Sequence, residues 1–394
     1  MRRISANYIY PGNRAPLKNG IVEIDDKEQV LNIIDTKGEL KESRSLEFYN
    51  GIITPGFVNT HCHLELSELK GEIEQHLGLS NFVNRIASYK RKMERNNSIK
   101  SIELYDSIMR EKGIVAVGDI SNTEITKTVK KNSRIYYHTF VEALGLGRNF
   151  NEIFEIYKKL FDDFEENELS ASLVPHAPYS ISKELFQKIK EISERRDLIL
   201  SIHNQESEAE NQMFLDKSGD LVNLFKNMGI DLNEWKPTGK NSLESIIDWL
   251  PQSNNILFVH NTYSKKSDIE LVNRKFENAY WCLCPSSNLY IENKLPDFKL
   301  FTELTGHVTL GTDSLASNTT LSILNEMKVI IKNYNDISFE NLLSWGTLNG
   351  AKALKVDNKF GSIEKGKSPG LNLISNFDFE KMNITEKSEV KVLV

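Results

Sequence analysis

The sequence predicts an α/β chain built as a (β/α)8 TIM barrel, with a small β-sandwich domain contributed by both termini. Three observations predict it. Eight apolar, strand-like segments can be counted between Ile52 and Asp313. Stretches with helical period separate most of them, which is the pattern of βα units and a parallel sheet. The 394 residues suffice for one barrel, typically about 250 residues, plus a smaller module.

The first fifty residues read as short strands and turns, such as Gly20 to Asp26 and Val30 to Asp35, rich in alternation and β-branched residues. The eight barrel strands are then expected at Ile52–His63, Gly113–Ser121, Ser133–Ala143, Ala171–Ser180, Leu198–Asn204, Asn255–Asn261, Ala279–Pro285 and His307–Asp313. Amphipathic stretches at Asn151–Glu166 and Lys183–Arg196 carry apolar residues at spacings of three and four and would form part of the outer ring. Two more helices are expected at Thr319–Tyr334 and Phe339–Leu354, after which GSIEKGKSPGLNLIS returns to strand and turn. Neither flank alone can bury a core, so the expected division is 1–53 and 357–394 as two parts of the sandwich around a barrel at 54–356.

Composition narrows the function classes. Apolar residues make up 39% and charged residues 26%, which favours neither disorder nor a membrane span. A net charge of −6 without a sustained basic block offers no footprint for nucleic acid or an anionic membrane, so a small-molecule partner is expected. Arg2 and Arg3 are not followed by the apolar stretch a secretory signal needs, and three cysteines form no disulfide framework. A cytoplasmic protein is expected.

In a strand side chains alternate faces, so Asn59, His61 and His63 share one face while Val58, Thr60 and Cys62 share the other. His-x-His on a strand offers two nitrogens to one metal, although two hydrogen-bonded histidines would look the same. Three further strands end in a candidate ligand or polar partner: His203, His260 and Asp313. All fall at C-terminal strand ends, the face on which (β/α)8 barrels build their sites.

The segments GIITPGFVNTHCHLELS, HAPYS, HNQESEAE, FVHN, CPSSN and GTDSLASN resemble, in order and spacing, the amidohydrolase superfamily, within it the deaminase and chlorohydrolase branch. The resemblance runs from about Gly51 to Asn318. It implies that His61, His63, His203 and Asp313 bind a metal, with His260 close by and not necessarily coordinated. Binuclear members bridge two metals with a lysine on the fourth strand, and ASLVPHAPYS has none, so one divalent metal is expected. Zinc suits such donors best, with iron or manganese as alternatives. His176 in HAPYS would bind substrate, as it does in the deaminases.

Glu206, three residues after His203, matches the family's proton-shuttling glutamate. A metal lowers the pKa of bound water from 15.7 to roughly 7. Attack on an amidine carbon then puts charge on the ring nitrogen, and Glu206 is the candidate acid that protonates it, while His260 and Asp313 take the proton from water. Glu65 and Asn288 stand as substrate contacts or structural residues, and Arg148 as an oxyanion contact or a surface residue. His76, His138 and His307 lack strand-end placement or motif context, and Cys62, Cys282 and Cys284 read as packing. The expected activity is hydrolytic deamination of an adenosine derivative such as aminodeoxyfutalosine, methylthioadenosine or adenosylhomocysteine. The alternatives are hydrolysis of a cyclic amide or imidazolone, and a non-catalytic relative. The segment Leu64 to Lys92 is expected to set specificity, and a homodimer is compatible with such a barrel.

Overall fold

A computed structural model describes residues 1–41, 45–92 and 94–394. The N-terminal strands are β1 (Arg2–Ile9), β2 (Leu17–Lys18), β3 (Ile21–Ile24), β4 (Val30–Ile34) and β5 (Leu46–Pro55). The parallel strands follow as β6 (Phe57–Cys62), β7 (Ile114–Ser121), β8 (Tyr136–Ala143), β9 (Ser170–Pro175), β10 (Leu200–Asn204), β11 (Ile256–His260), β12 (Ala279–Leu283) and β13 (Val308–Leu310). Near the C-terminus come β14 (Leu371–Ser375) and β15 (Glu389–Val392).

Strands from both ends of the chain share one seven-stranded sheet, ordered β15-β14-β5-β1-β3-β4, with β2 on β1. Its core, including Ile4, Ile9, Val22, Ile53, Ile363 and Leu371, is a cluster of its own. The segment expected as one strand from Ile52 to His63 is therefore two. β5 pairs with β14 through Pro55, and β6 starts a different sheet at Phe57. Gly56 makes the break possible: its amide donates to the Pro369 carbonyl at 3.0 Å, and any side chain there would collide with Val115 and that oxygen.

The eight following strands form two parallel sheets, β6-β7-β8-β9 and β10-β11-β12-β13. Strands β6, β11 and β12 are buried at every position, as parallel strands covered on both faces must be. Hydrogen bonds join the two sheets at both junctions. The His203 amide donates to the His176 carbonyl at 2.9 Å, and the amides of Thr312 and Asp313 donate to the His61 carbonyl at 3.0 and 3.1 Å. Side chains reinforce the second junction, where Asn59 Nδ2 donates to Thr312 Oγ1 and Thr60 Oγ1 donates to the Leu310 carbonyl.

The helix Phe150–Glu166 is capped by the Asn149 side chain and buries Ile153, Phe154, Phe161 and Phe164. The helix Lys183–Arg196 is capped by Ser182 and buries Leu185, Phe186, Ile189 and Ile192. The third expected helix starts only at Ile323, where Ser322 caps it. The fourth breaks at Thr347 into Phe339–Gly346 and Leu348–Ala353. Cys62, Cys282 and Cys284 are free, buried thiols.

Candidate active site

His61 lies on β6, and His63 is the first residue beyond that strand, starting a short turn of 3-10 helix. Their Nε2 atoms stand 3.2 Å apart with the rings nearly perpendicular. What fixes the chain past His63 is buried charge. The Leu64 amide donates to Asp119 Oδ1 at 2.8 Å, and the other Asp119 oxygen pairs with Lys130 at 2.6 Å. Lys130 in turn donates to Ser121 Oγ and Thr139 Oγ1 on β7 and β8, so the turn is anchored to three elements.

His203, on β10, has Nδ1 at 2.8 Å from the His176 carbonyl, which turns Nε2 toward His63 at 3.4 Å. Asp313 lies three residues beyond β13 rather than on it. Its Oδ2 accepts from Ser287 Oγ at 2.6 Å and Ser317 Oγ at 2.7 Å, while Oδ1 faces His61 and His63 at 3.6 and 3.4 Å. Removing both hydroxyls, as Ser287→Ala with Ser317→Ala, is expected to weaken metal binding roughly 10–100-fold, because partners behind a ligand orient it. Competition against a chromophoric chelator measures this, and unchanged affinity would contradict the role of the two serines.

Four non-glycine residues at these strand ends adopt left-handed backbone: Gln205, His260, Asn261 and Asp313, with φ between 46° and 73°. Such strain concentrates where a site dictates side-chain direction. Asn261 stabilises its own turn, donating to the Phe258 carbonyl at 2.8 Å and accepting from Asn204 at 3.0 Å.

Electrostatics follow from burial. Burial lowers the pKa of His61, takes His63 down to about 3 and holds His260 well below its ordinary value. His203 moves the other way, up to about 9: burial lowers it, but the carboxylate of Glu142, 3.3 Å from Nδ1, prevails. Burial also raises Glu206 well above 4.5, with help from the Asp313, Glu292 and Glu210 carboxylates against the opposing pull of His203. Asp313 stays ionised despite burial, because His61, His63 and His260 surround it.

These donors fit a cation. A tetrahedral zinc with ligand bonds of about 2.0–2.1 Å has ligand-to-ligand edges of about 3.3–3.4 Å. Four of the six separations among His61, His63, His203 and Asp313 run from 3.2 to 3.6 Å: His61–His63, His63–His203, His61–Asp313 and His63–Asp313. His61, His63 and Asp313 form one ligand group within 4.8 Å, and His61, His203 and His260 form another. Two inward imidazole nitrogens at 3.2 Å beside an ionised carboxylate are a donor set for a shared positive centre.

Beside the cluster lies a cavity of about 410 Å³ whose wall includes His63, Glu142 and His176. Leu66, Val83, Ile86, Ala87 and Lys90 contribute from the segment expected to set specificity, and Leu224, Phe225, Met228 and Ile230 from a part of the chain without motifs. His176 sits with its ring 4.8 Å from that of His203 and Nδ1 at 2.7 Å from Ser180 Oγ. Arg148 is also on the wall.

The structure does not bring the other two expected substrate contacts to this cavity. Glu65 Oε1 accepts from the Thr123 amide and hydroxyl, both at 2.8 Å, and from the Asn122 amide at 3.1 Å, tying down the turn after β7. Asn288 donates to Thr262 Oγ1, and its Oδ1 is buried without a partner.

A family model described as the amidohydrolase family matches residues 52–391. The chain belongs to the amidohydrolase family. Among curated proteins this amidohydrolase is similar to an adenosine deaminase of Helicobacter pylori, 27% identical over 352 residues that cover 88% of this chain and 84% of that one. It is also similar to an aminodeoxyfutalosine deaminase of a Nitratiruptor species, 25% identical over 375 residues, 91% of this chain and 87% of that one. Among solved structures, the Helicobacter pylori aminofutalosine deaminase in complex with methylthio-coformycin superposes with a TM-score of 0.80 at 24% identity, covering 97% of this chain and 94% of that one. An adenosine deaminase from Xanthomonas campestris with bound zinc gives a TM-score of 0.76 at 18% identity, over 96% and 85%. These likenesses place the parallel α/β architecture in the TIM-barrel fold.

In this amidohydrolase one buried residue beside the cluster escaped the sequence reading. Glu142, with His176 and His203, forms a third group of ligand-type atoms within 4.8 Å. Its signal was present, a lone carboxylate near the end of an apolar strand, and the strand's alternation masked it. Ser287 and Ser317 lie within CPSSN and GTDSLASN, but nothing local says that their hydroxyls meet on one carboxylate.

Proposed function

We propose that this amidohydrolase is a hydrolytic deaminase that replaces the amino group on the base of an adenosine derivative by oxygen and releases ammonia. The observation that carries the reading is Glu206, a buried carboxyl group with a strongly raised pKa, set 3.7 Å from His260 and beside the converging donors. The named activities of the similar curated proteins support the same substrate class.

His61, His63, His203 and Asp313 would hold one divalent cation, zinc by preference for three imidazoles and a carboxylate. When bound, it supplies the Lewis acidity that lets water attack near neutral pH. The chain's own residues manage the protons. As water adds to the amino-bearing carbon, an electron pair moves onto the adjacent ring nitrogen, and protonated Glu206 donates to that nitrogen. His260, kept neutral by burial, and the Asp313 carboxylate accept from the attacking water. The Glu206 carboxylate then takes the proton of the newly added hydroxyl group and passes it to the amino nitrogen, which leaves as ammonia as the carbon–oxygen double bond forms, and the proton removed from water returns to Glu206 for the next turnover. His176 holds the substrate from the cavity wall. Arg148 and Lys90 face that cavity without an ion pair among the described residues, a setting for an anionic group on the substrate.

The reading takes residues 54–356 as the catalytic barrel, closed between β9 and β10 and between β13 and β6. Residues 1–53 and 357–394 then form one β-sandwich domain, supported by the sheet they share. Three free thiols support a reducing, cytoplasmic setting. Ammonia release by the zinc-loaded protein across adenosine derivatives, guanine, cytosine and cyclic ureides tests the proposal. Metal-dependent ammonia from an adenosine derivative is expected, whereas ring opening of a ureide without ammonia would overturn it.

A further inference from the structure

The Glu142 carboxylate presents a puzzle that the deamination chemistry does not absorb. It is 3% exposed on β8, and its Oε1 is buried with no hydrogen-bond donor among the described residues. The neighbours that would do so are already engaged. Asn122 Nδ2 donates to Oε2 at 3.2 Å and to the Glu142 carbonyl at 3.1 Å. His203 Nδ1 lies 3.3 Å from Oε1, the charge contact that raises the pKa of His203, but its hydrogen bond goes to the His176 carbonyl at 2.8 Å, so Oε1 keeps an open acceptor position, and His176 Nδ1 is taken by Ser180. Neither Lys90 nor Arg148 forms an ion pair with it.

A buried carboxylate oxygen is costly to leave unmatched, and it can only accept hydrogen bonds. Glu142 lies on the wall of the 410 Å³ cavity, so the group that completes it comes from whatever fills that space. That group is a donor. Lys90 and Arg148 on the same wall disfavour a cationic one, which leaves a neutral hydroxyl or N–H. His176 and His63 place the Glu142 end of the cavity next to the cluster where the base reacts, and most of the remaining wall is apolar. In a nucleoside the donors just beyond the base are the sugar hydroxyls.

We propose that Glu142 is a specificity-determining residue whose Oε1 accepts a hydrogen bond from a sugar hydroxyl of the substrate. The site then selects nucleosides that keep this hydroxyl over their deoxy analogues. The inference rests on the deaminase reading and assigns a role to a residue that reading leaves unused.

The test compares kcat/KM for adenosine, 2′-deoxyadenosine and 3′-deoxyadenosine with wild-type protein and Glu142→Gln, with bound zinc measured in each. Sites built to hydrogen-bond a hydroxyl reject analogues that lack it. Wild type is expected to prefer adenosine over one deoxy analogue by at least about tenfold, and Glu142→Gln to shrink that ratio to roughly threefold or less. A variant that slows all three nucleosides alike would show a purely structural role and overturn the proposal. Wild-type indifference to both hydroxyls would overturn it without any variant, while leaving deamination intact. Failure of wild type to deaminate any nucleoside would instead refute the deaminase reading, and this proposal with it.

Discussion

His61→Ala is expected to yield protein that retains its fold, binds no stoichiometric zinc and deaminates at least about a thousandfold more slowly, since the metal's share of transition-state stabilisation amounts to several kcal/mol. The expectation follows from where His61 sits. It belongs to two of the three ligand-type groups, its Nε2 is 3.2 Å from that of His63 and 3.6 Å from Asp313, and its backbone carbonyl accepts the amides of Thr312 and Asp313. The side chain would hold the metal, while the backbone stitches β6 to the end of β13. Alanine removes the first function and leaves the second, so metal content and rate fall together while circular dichroism stays unchanged. Full activity in metal-depleted His61→Ala protein would contradict the assignment.

Glu206→Gln separates the proton path from the metal. The amide preserves size and neutrality but cannot give up and recover a proton, so turnover is expected to fall by roughly 10²–10⁴, the range typical of a lost general acid. Zinc content should match wild type, because Glu206 is not among the four proposed ligands. The sign of the pH dependence also follows. The acid form is the active one, and burial raises its pKa, so the rate declines on the alkaline side as pH climbs past that raised value. An undiminished rate in Glu206→Gln would remove the shuttle role and leave Glu210 to be considered. That carboxyl is raised to about 7 by burial, but it already accepts the Gln205 and Glu206 amides at 2.9 and 3.2 Å.

Much of this arrangement is legible in the sequence. His61, His63, His203, His260 and Asp313 stand out because parallel strands present their ends to a common face, and each residue closes an apolar run. The motifs supplied Glu206 and His176 by position. What sequence could not say was decided by contacts distant in the chain. Glu65 in HCHLELS could be read as a substrate contact or as a structural residue, and only the fold shows its carboxylate accepting from the Asn122–Thr123 turn, more than fifty residues away. Glu142 looked like one more strand residue until β8 placed it beside His176 and His203. The break at Gly56 was hidden because strand residues run up to it from both sides, and only the approach of Pro369 forces it. The far wall of the cavity, from Leu224 to Ile230, has no periodicity or motif that points to a site.

The central claim is that one cation, held by His61, His63, His203 and Asp313, turns this barrel into a deaminase. Titrating zinc into chelator-stripped protein while following ammonia release from an adenosine derivative tests it most directly. Activity is expected to rise linearly and break at one zinc per chain, with stripped protein inert. Undiminished ammonia release from stripped protein, or a break at two zinc ions per chain, would contradict it.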